Sequence, residues 1–163
     1  MAAASIRRFG CVPMNNGSES TSISSERAVA QTLYVFNLTR QSFVSLGVSP
    51  ADTHITRLRG LLGRMRIRSD EGLWVVPCQG IHTIGLLFAI DVIYLDENRR
   101  VIHLIEHLGP FRVASIRRQS ASVLEMPTRT IYSSNTQVGD SLLICSPEEM
   151  ESHLRTKQAS ASI

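Results

Sequence analysis

The stretch from Glu71 to Asp96, EGLWVVPCQGIHTIGLLFAIDVIYLD, constrains this chain more than any other segment. It is a long apolar run interrupted by Cys78, His82, Thr83 and Asp91, and its Val, Ile, Trp and Tyr content favours extended structure. His82 and Asp91 keep every window short of the roughly 18 uninterrupted apolar residues that a membrane helix requires. The run therefore predicts buried strands of a soluble domain, and the four interrupting side chains mark the first place to look for a site.

Shorter strands are expected around it. Leu33 to Leu38 and Ser42 to Val48 read as two strands of a hairpin joined through Thr39 and Arg40. Leu73 to Val76, Leu86 to Leu95, Val101 to Glu106, Ala121 to Met126 and Ser141 to Cys145 follow, separated by turn-forming residues. Asp96-Glu97-Asn98-Arg99 predicts a tight turn with Asn98 best suited to positive φ, and Val138-Gly139-Asp140-Ser141 predicts another. One helix is expected early. Ser49 would cap it, Pro50 would take its first position and Asp52 would close a short-armed capping box, with Ile55, Leu58, Leu61, Leu62 and Met65 on one face and Gly63 near its end.

With 163 residues, 43% of them hydrophobic and 19% charged, the chain suits a single domain with a moderate core. Residues 1–28 are Ser-, Asn- and Gly-rich without an apolar period and are expected to be a disordered leader. Residues 29–146 form the expected β domain. Residues 147–163 form a short polar tail in which Ser146-Pro147-Glu148-Glu149 signals one helical turn or more. The predicted class is mainly β: a small antiparallel jelly-roll-like sandwich or barrel with one early amphipathic helix.

The net charge of +3 is too small to argue for nucleic acid, although all basic residues except Lys157 are arginines suited to bidentate contacts. Arg57, Arg59, Arg64, Arg66 and Arg68 form the densest basic cluster, which reads as the solvated face of the helix, and Trp74 lies within a strand rather than on a base-stacking surface. Cys11, Cys78 and Cys145 lack the spacing of a disulfide framework or a zinc site. No apolar run of signal-peptide length follows Arg7 and Arg8, so a cytoplasmic location without a membrane anchor is expected.

The blocks RLRGLLGR (Arg57 to Arg64), EGLWVVPCQGIHT (Glu71 to Thr83), FAIDVIYLD (Phe88 to Asp96), GPFR (Gly109 to Arg112), SVLEMP (Ser122 to Pro127) and QVGDSL (Gln137 to Leu142) resemble, in order, the uncharacterised bacterial and archaeal family called domain of unknown function 192. The resemblance implies a small jelly-roll-like β domain with one early helix and no agreed activity. The chain departs from the family pattern at Leu86 (usually Met), Ala89 (usually Pro), Arg99 (usually a turn Gly) and Thr128-Arg129 (usually Ala-Gly).

Four residues form the candidate site. Cys78 and His82 would lie roughly 13 Å apart in an extended strand, too far to share a proton or a metal unless the chain turns at Gly80. The structural reading is an inert thiol and a histidine bonded to backbone; the catalytic reading is a Cys/His pair. Asp91 alternates with Leu87, Ala89, Ile93 and Leu95 on an apolar face, so its carboxylate must be compensated. Arg59 and Arg112 are the candidate ion-pair partners, and a backbone-bonded carboxylate locking a helix or loop to the sheet is the other structural reading. The functional reading is a pocket where His82, Thr83 and Asp91 meet a small ligand. His103 and His107 read as surface polar groups on one face of a strand.

The function expected on these grounds is a non-enzymatic domain binding a small polar or anionic ligand, or a protein partner, over His82, Thr83 and Asp91. No cofactor, stoichiometric metal, nucleic acid or membrane is expected. The alternative is a metal-assisted or Cys/His-dependent hydrolase-like enzyme with His82 as base, Asp91 as orienter and Cys78 as nucleophile. Structural assembly through an exposed sheet edge is a third reading.

Overall fold

The computed structural model describes residues 32–51 and 67–161. The expected leader and the body of the expected early helix, including Arg59, lie outside these residues. In chain order the elements are β1 (Leu33–Asn37), β2 (Ser42–Ala51), β3 (Gly72–Val75), β4 (Ile90–Leu95), β5 (Val101–Leu108), β6 (Ser122–Pro127), α1 (Thr130–Ser134), β7 (Leu142–Cys145) and α2 (Pro147–Ala161). The fold is mainly β, as the sequence predicts.

All the strands among the described residues belong to one seven-stranded sheet in the order β5-β4-β6-β3-β2-β1-β7. The sheet curls until its two ends meet. Arg100 bridges Ser141, and the amides of Val101 and Leu142 donate to the carbonyls of Asp140 and Arg99 at 2.8 and 3.0 Å. Every pairing is antiparallel except β2 with β3, where Val48 to Ala51 run parallel to Gly72 to Val75. That pair makes the sheet mixed rather than wholly antiparallel, and the long connection from 52 to 71 is what a parallel pair requires.

The same pair corrects the expected helix start. Ser49, Pro50 and Ala51 are the last residues of β2, not a cap and first turn. Ala51 packs with Leu73 and Val75, and this lateral pairing outweighs the local Ser-Pro signal. The second Ser-Pro signal is a true start. Ser146 Oγ accepts from the Glu149 amide at 3.2 Å while Glu149 Oε2 accepts from the Ser146 amide at 2.9 Å, a reciprocal capping box. The tail from Pro147 is thus a full helix, and Met150 docks it on Phe36 and Cys145.

β4 is buried at every position because both faces of the curled sheet are covered. On one face Ile93 and Leu95 join Val35, Val44, Leu124 and Ile144 in the enclosed core. On the other, Ile90, Val92 and Tyr94 pack beneath Ile81, Leu86 and Ala114 from the two loops that cross that face. β4 begins only at Ile90, so Leu87 and Ala89 lie before the strand.

The β4–β5 hairpin turns as expected at residues 96–99, held by Asp96 Oδ1 accepting the amides of Asn98 and Arg100 at 2.9 and 2.8 Å. The left-handed residue is Arg99, at φ 59°, and not Asn98. Arg129, ahead of α1, is also left-handed at φ 72°. Both stand where the family pattern has glycine, which enters this region without a Cβ penalty of about 1 kcal/mol. Arg99 has compensation: its Nη1 donates to the Ile144 carbonyl at 2.8 Å, and its guanidinium lies 5.5 Å from the Trp74 ring centroid. Exposed Arg129 has no such contacts among the described residues. Arg129→Gly is therefore expected to stabilise the protein by up to about 1 kcal/mol and Arg99→Gly to give no gain, as denaturant melts of the two variants would reveal.

Candidate functional site

The four residues singled out from the sequence have separate tasks. Thr83 is fully buried and fastens the 109–113 loop to its own segment. Its hydroxyl donates to the Gly109 carbonyl at 2.7 Å and accepts from the Arg112 amide at 2.9 Å; its amide donates to the Arg112 carbonyl at 2.8 Å. His82 forms an isolated backbone bridge with Val113, and its side chain is exposed. The Cys78 thiol donates to the Gly80 carbonyl at 3.2 Å, and Cys78 packs against both the loop-covered core and the Ala51 cluster.

Asp91 lies on the enclosed face with Ile93 and Leu95, as strand alternation predicts, and is 1% exposed. Its partners differ from the expected arginines. Oδ1 accepts the His107 amide at 2.9 Å and Oδ2 accepts the Ile131 amide at 3.1 Å, so the carboxylate ties α1 to β4 and β5. Arg112 is exposed and forms no ion pair with Asp91; Arg59 lies outside the described residues. Thr83 and Asp91 are thus buried and bonded to backbone partners, whereas the His82 side chain is exposed.

Ionisable groups gather instead on the loop-covered face. Register places Tyr94 of β4 between His103 of β5 and Val123 of β6, with Val92 opposite Glu125 one step along. Tyr94 and His103 have ring centroids 5.6 Å apart, and Arg117 crosses above to put Nη2 2.9 Å from His103 Nε2. Because a guanidinium can only donate, His103 is neutral there, with its proton on Nδ1. Burial, and then the Arg117 charge, lower the His103 pKa. His103 is therefore a half-buried member of a polar cluster rather than the surface group expected from the sequence.

Two buried polar atoms in this cluster have no hydrogen-bond partner among the described residues: the Tyr94 hydroxyl and Arg117 Nε. Burial pushes the Tyr94 phenol up; Cys78 and Glu125 add to the effect and Arg117 opposes it. Burial also pushes the Glu125 carboxyl up to about 7, and no hydrogen bond or ion pair offsets this among the described residues. Little in the sequence pointed to this set, since Arg117 joins it only through a loop whose Arg117 amide donates to the Gln79 carbonyl.

Two open depressions adjoin the cluster and share Arg118 and Gln119. The larger, about 900 Å³, runs between the 76–79 segment, the β4–β5 hairpin tip and the 118–121 segment. Gln79, Asp96, Glu97, Asn98, Arg118 and Gln119 give it charges of both signs and three side-chain amides, and Cys78 lies in its wall. The smaller, about 380 Å³, lies over β5 beside His103, Arg117 and Arg118. Among the described residues, no group of three or more His, Cys, Asp and Glu side chains is placed to hold a metal ion. Nor is any helix among them long and apolar enough to cross a membrane.

Fold and site together define a small, mainly β domain with a polar groove at one end of a curled mixed sheet. The family model for domain of unknown function 192, described as an uncharacterized ACR, matches residues 21–144, and the chain belongs to that family. It is similar to a UPF0127 protein of Pyrococcus furiosus, 29% identical over 113 residues that make up 66% of this chain and 95% of the relative. A UPF0127 protein of Thermococcus sibiricus is 29% identical over 100 residues, 58% of this chain and 64% of that one. Two crystal structures share the fold. One, a candidate transcription regulator from Sinorhizobium meliloti, has a TM-score of 0.59 at 18% identity, covering 70% of this chain and 92% of the other. The second, a protein of unknown function from Novosphingobium aromaticivorans, has a TM-score of 0.60 at 15% identity, covering 78% and 99%. At these identities the likeness establishes the fold alone.

Proposed function

We propose that the protein is a non-enzymatic binding module that takes a small polar ligand in the groove of about 900 Å³ at the β4–β5 hairpin tip. The observation that carries this reading is the lining, where Glu97, Arg118 and the amides of Gln79, Asn98 and Gln119 converge from three separate segments. Donors and acceptors of both charge signs around one open space suit a ligand that is itself rich in polar groups. The Cys78 thiol is turned to the Gly80 carbonyl, and His82 stands in solvent at the Val113 bridge. Nucleophilic catalysis requires such a pair within hydrogen-bond reach, so this placement favours binding over the hydrolase-like alternative.

A melting screen against amino acids, dicarboxylates, sugars and polyols tests the reading, because a ligand that binds only the folded state raises its apparent stability. At least one compound is expected to raise the melting temperature of the natural chain in a concentration-dependent way. Asn98→Trp, at an exposed position on the groove wall, is expected to remove that rise. Stabilisation that survives Asn98→Trp would place the ligand elsewhere, and a screen without any stabilising compound would contradict the reading.

A further inference from the structure

The smaller depression is charged in one sign only. Its lining is Ile102, His103, Ile116, Arg117, Arg118 and Gln119, two guanidiniums and no acid. Neither arginine forms an ion pair among the described residues, although Arg40, Arg68 and Arg155 each find a carboxylate. Arg117 is the more telling of the two. Of its guanidinium donors, Nη2 is committed to His103 at 2.9 Å, while the buried Nε has no acceptor among the described residues. A buried, unsatisfied charged donor costs free energy unless something supplies the acceptor. Two cationic residues bordering one pocket without a counter-charge among the described residues carry a further Coulombic cost.

The missing element is an acceptor with negative charge and more than one oxygen. We propose that this pocket is a binding site for an oxyanionic group, a phosphate or carboxylate, held between Arg117 and Arg118 beside neutral His103. Guanidinium forks match both oxyanions bidentately, and a pocket of about 380 Å³ holds such a group with part of the molecule bearing it. His103 contributes its Nδ1 proton as a neutral donor, and Ile102 and Ile116 supply the apolar part of the wall. The titratable or charged groups against the His103 ring are Tyr94 from β4 and Arg117 from the crossing loop. An anion beside Arg117 offsets the charge that disfavours protonation of His103, so occupancy should raise the histidine's pKa. Arg118 and Gln119 also line the groove, but Ile102, His103, Ile116 and Arg117 belong to this pocket alone, and the site does not depend on the groove's being occupied.

The test is a titration of the full chain with inorganic phosphate, and separately with acetate, each against sodium chloride at matched ionic strength, following the His103 ring resonances. Saturable shifts are expected with phosphate, acetate or both, with an upward move of the His103 pKa that chloride does not reproduce. The responding anion identifies the group. Arg118→Gln, at an exposed position where folding is not at risk, is expected to weaken the affinity roughly tenfold. Arg117→Gln should weaken it at least as much, and Asn98→Trp in the neighbouring groove should leave it unchanged. Equal responses to chloride and to both oxyanions, or an Arg118→Gln protein that titrates like the natural chain, would overturn the assignment.

Discussion

Glu125→Gln is expected to stabilise the protein by about 2 kcal/mol near pH 8 and by less than about 1 kcal/mol near pH 5. Burial raises the folded-state carboxyl from its ordinary 4.5 to about 7. Between these values the folded chain keeps a proton that the unfolded chain releases, so stability falls as pH rises through the window. The full difference corresponds to about 3 kcal/mol, and the partial exposure of Glu125 trims it. Gln is neutral at every pH and removes this slope. His103 acts in the opposite direction below its ordinary pKa, where its lowered folded value makes stability rise with pH, but it is present in both proteins and cancels in their difference. Denaturant melts at the two pH values check the prediction, and a difference independent of pH would mean that Glu125 titrates normally.

Asp91→Ala is expected to cost about 3 kcal/mol, because it strands two backbone donors that the carboxylate now satisfies. The Ile131 amide is buried at the start of α1, and its loss should also loosen the packing of Ile131 in the enclosed core. Asp91→Asn, which keeps one oxygen acceptor, should cost less than Asp91→Ala. His82→Ala should cost under about 1 kcal/mol, since the His82 side chain is exposed and its bridge to Val113 uses backbone alone. Equal, small losses for Asp91→Ala and His82→Ala would contradict the hydrogen bonding described for Asp91.

Asp91 also marks the boundary of what the sequence discloses. Period-two alternation with Ile93 and Leu95 is a local property of an extended chain, so the apolar face and the need for compensation were readable directly. The donors come from His107 and Ile131, positions 16 and 40 residues away, and backbone amides look the same at every position in a sequence. The arginines were the conspicuous candidates for that reason. Ser49-Pro50 and Ser146-Pro147 show the same division from another side. Both carry the local chemistry of a helix start, but only the second is free of a neighbouring strand, and β3 recruits the first into the sheet. The candidate groove escaped notice because Gln79, Asn98 and Gln119 belong to three unremarkable turns. Only the β4–β5 and β4–β6 registers bring the hairpin tip to the 118–121 segment.

The proposed binding module takes its ligand in the open polar groove and not on the surface of His82, Thr83 and Asp91. Amide chemical-shift mapping of the isotope-labelled chain with a set of small polar fragments tests it most directly. Saturable perturbations centred on Gln79, Asn98, Arg118 and Gln119 are expected, with the His82 and Asp91 amides unmoved. Perturbations centred on His82, Thr83 and Val113, or none that saturate, would contradict it.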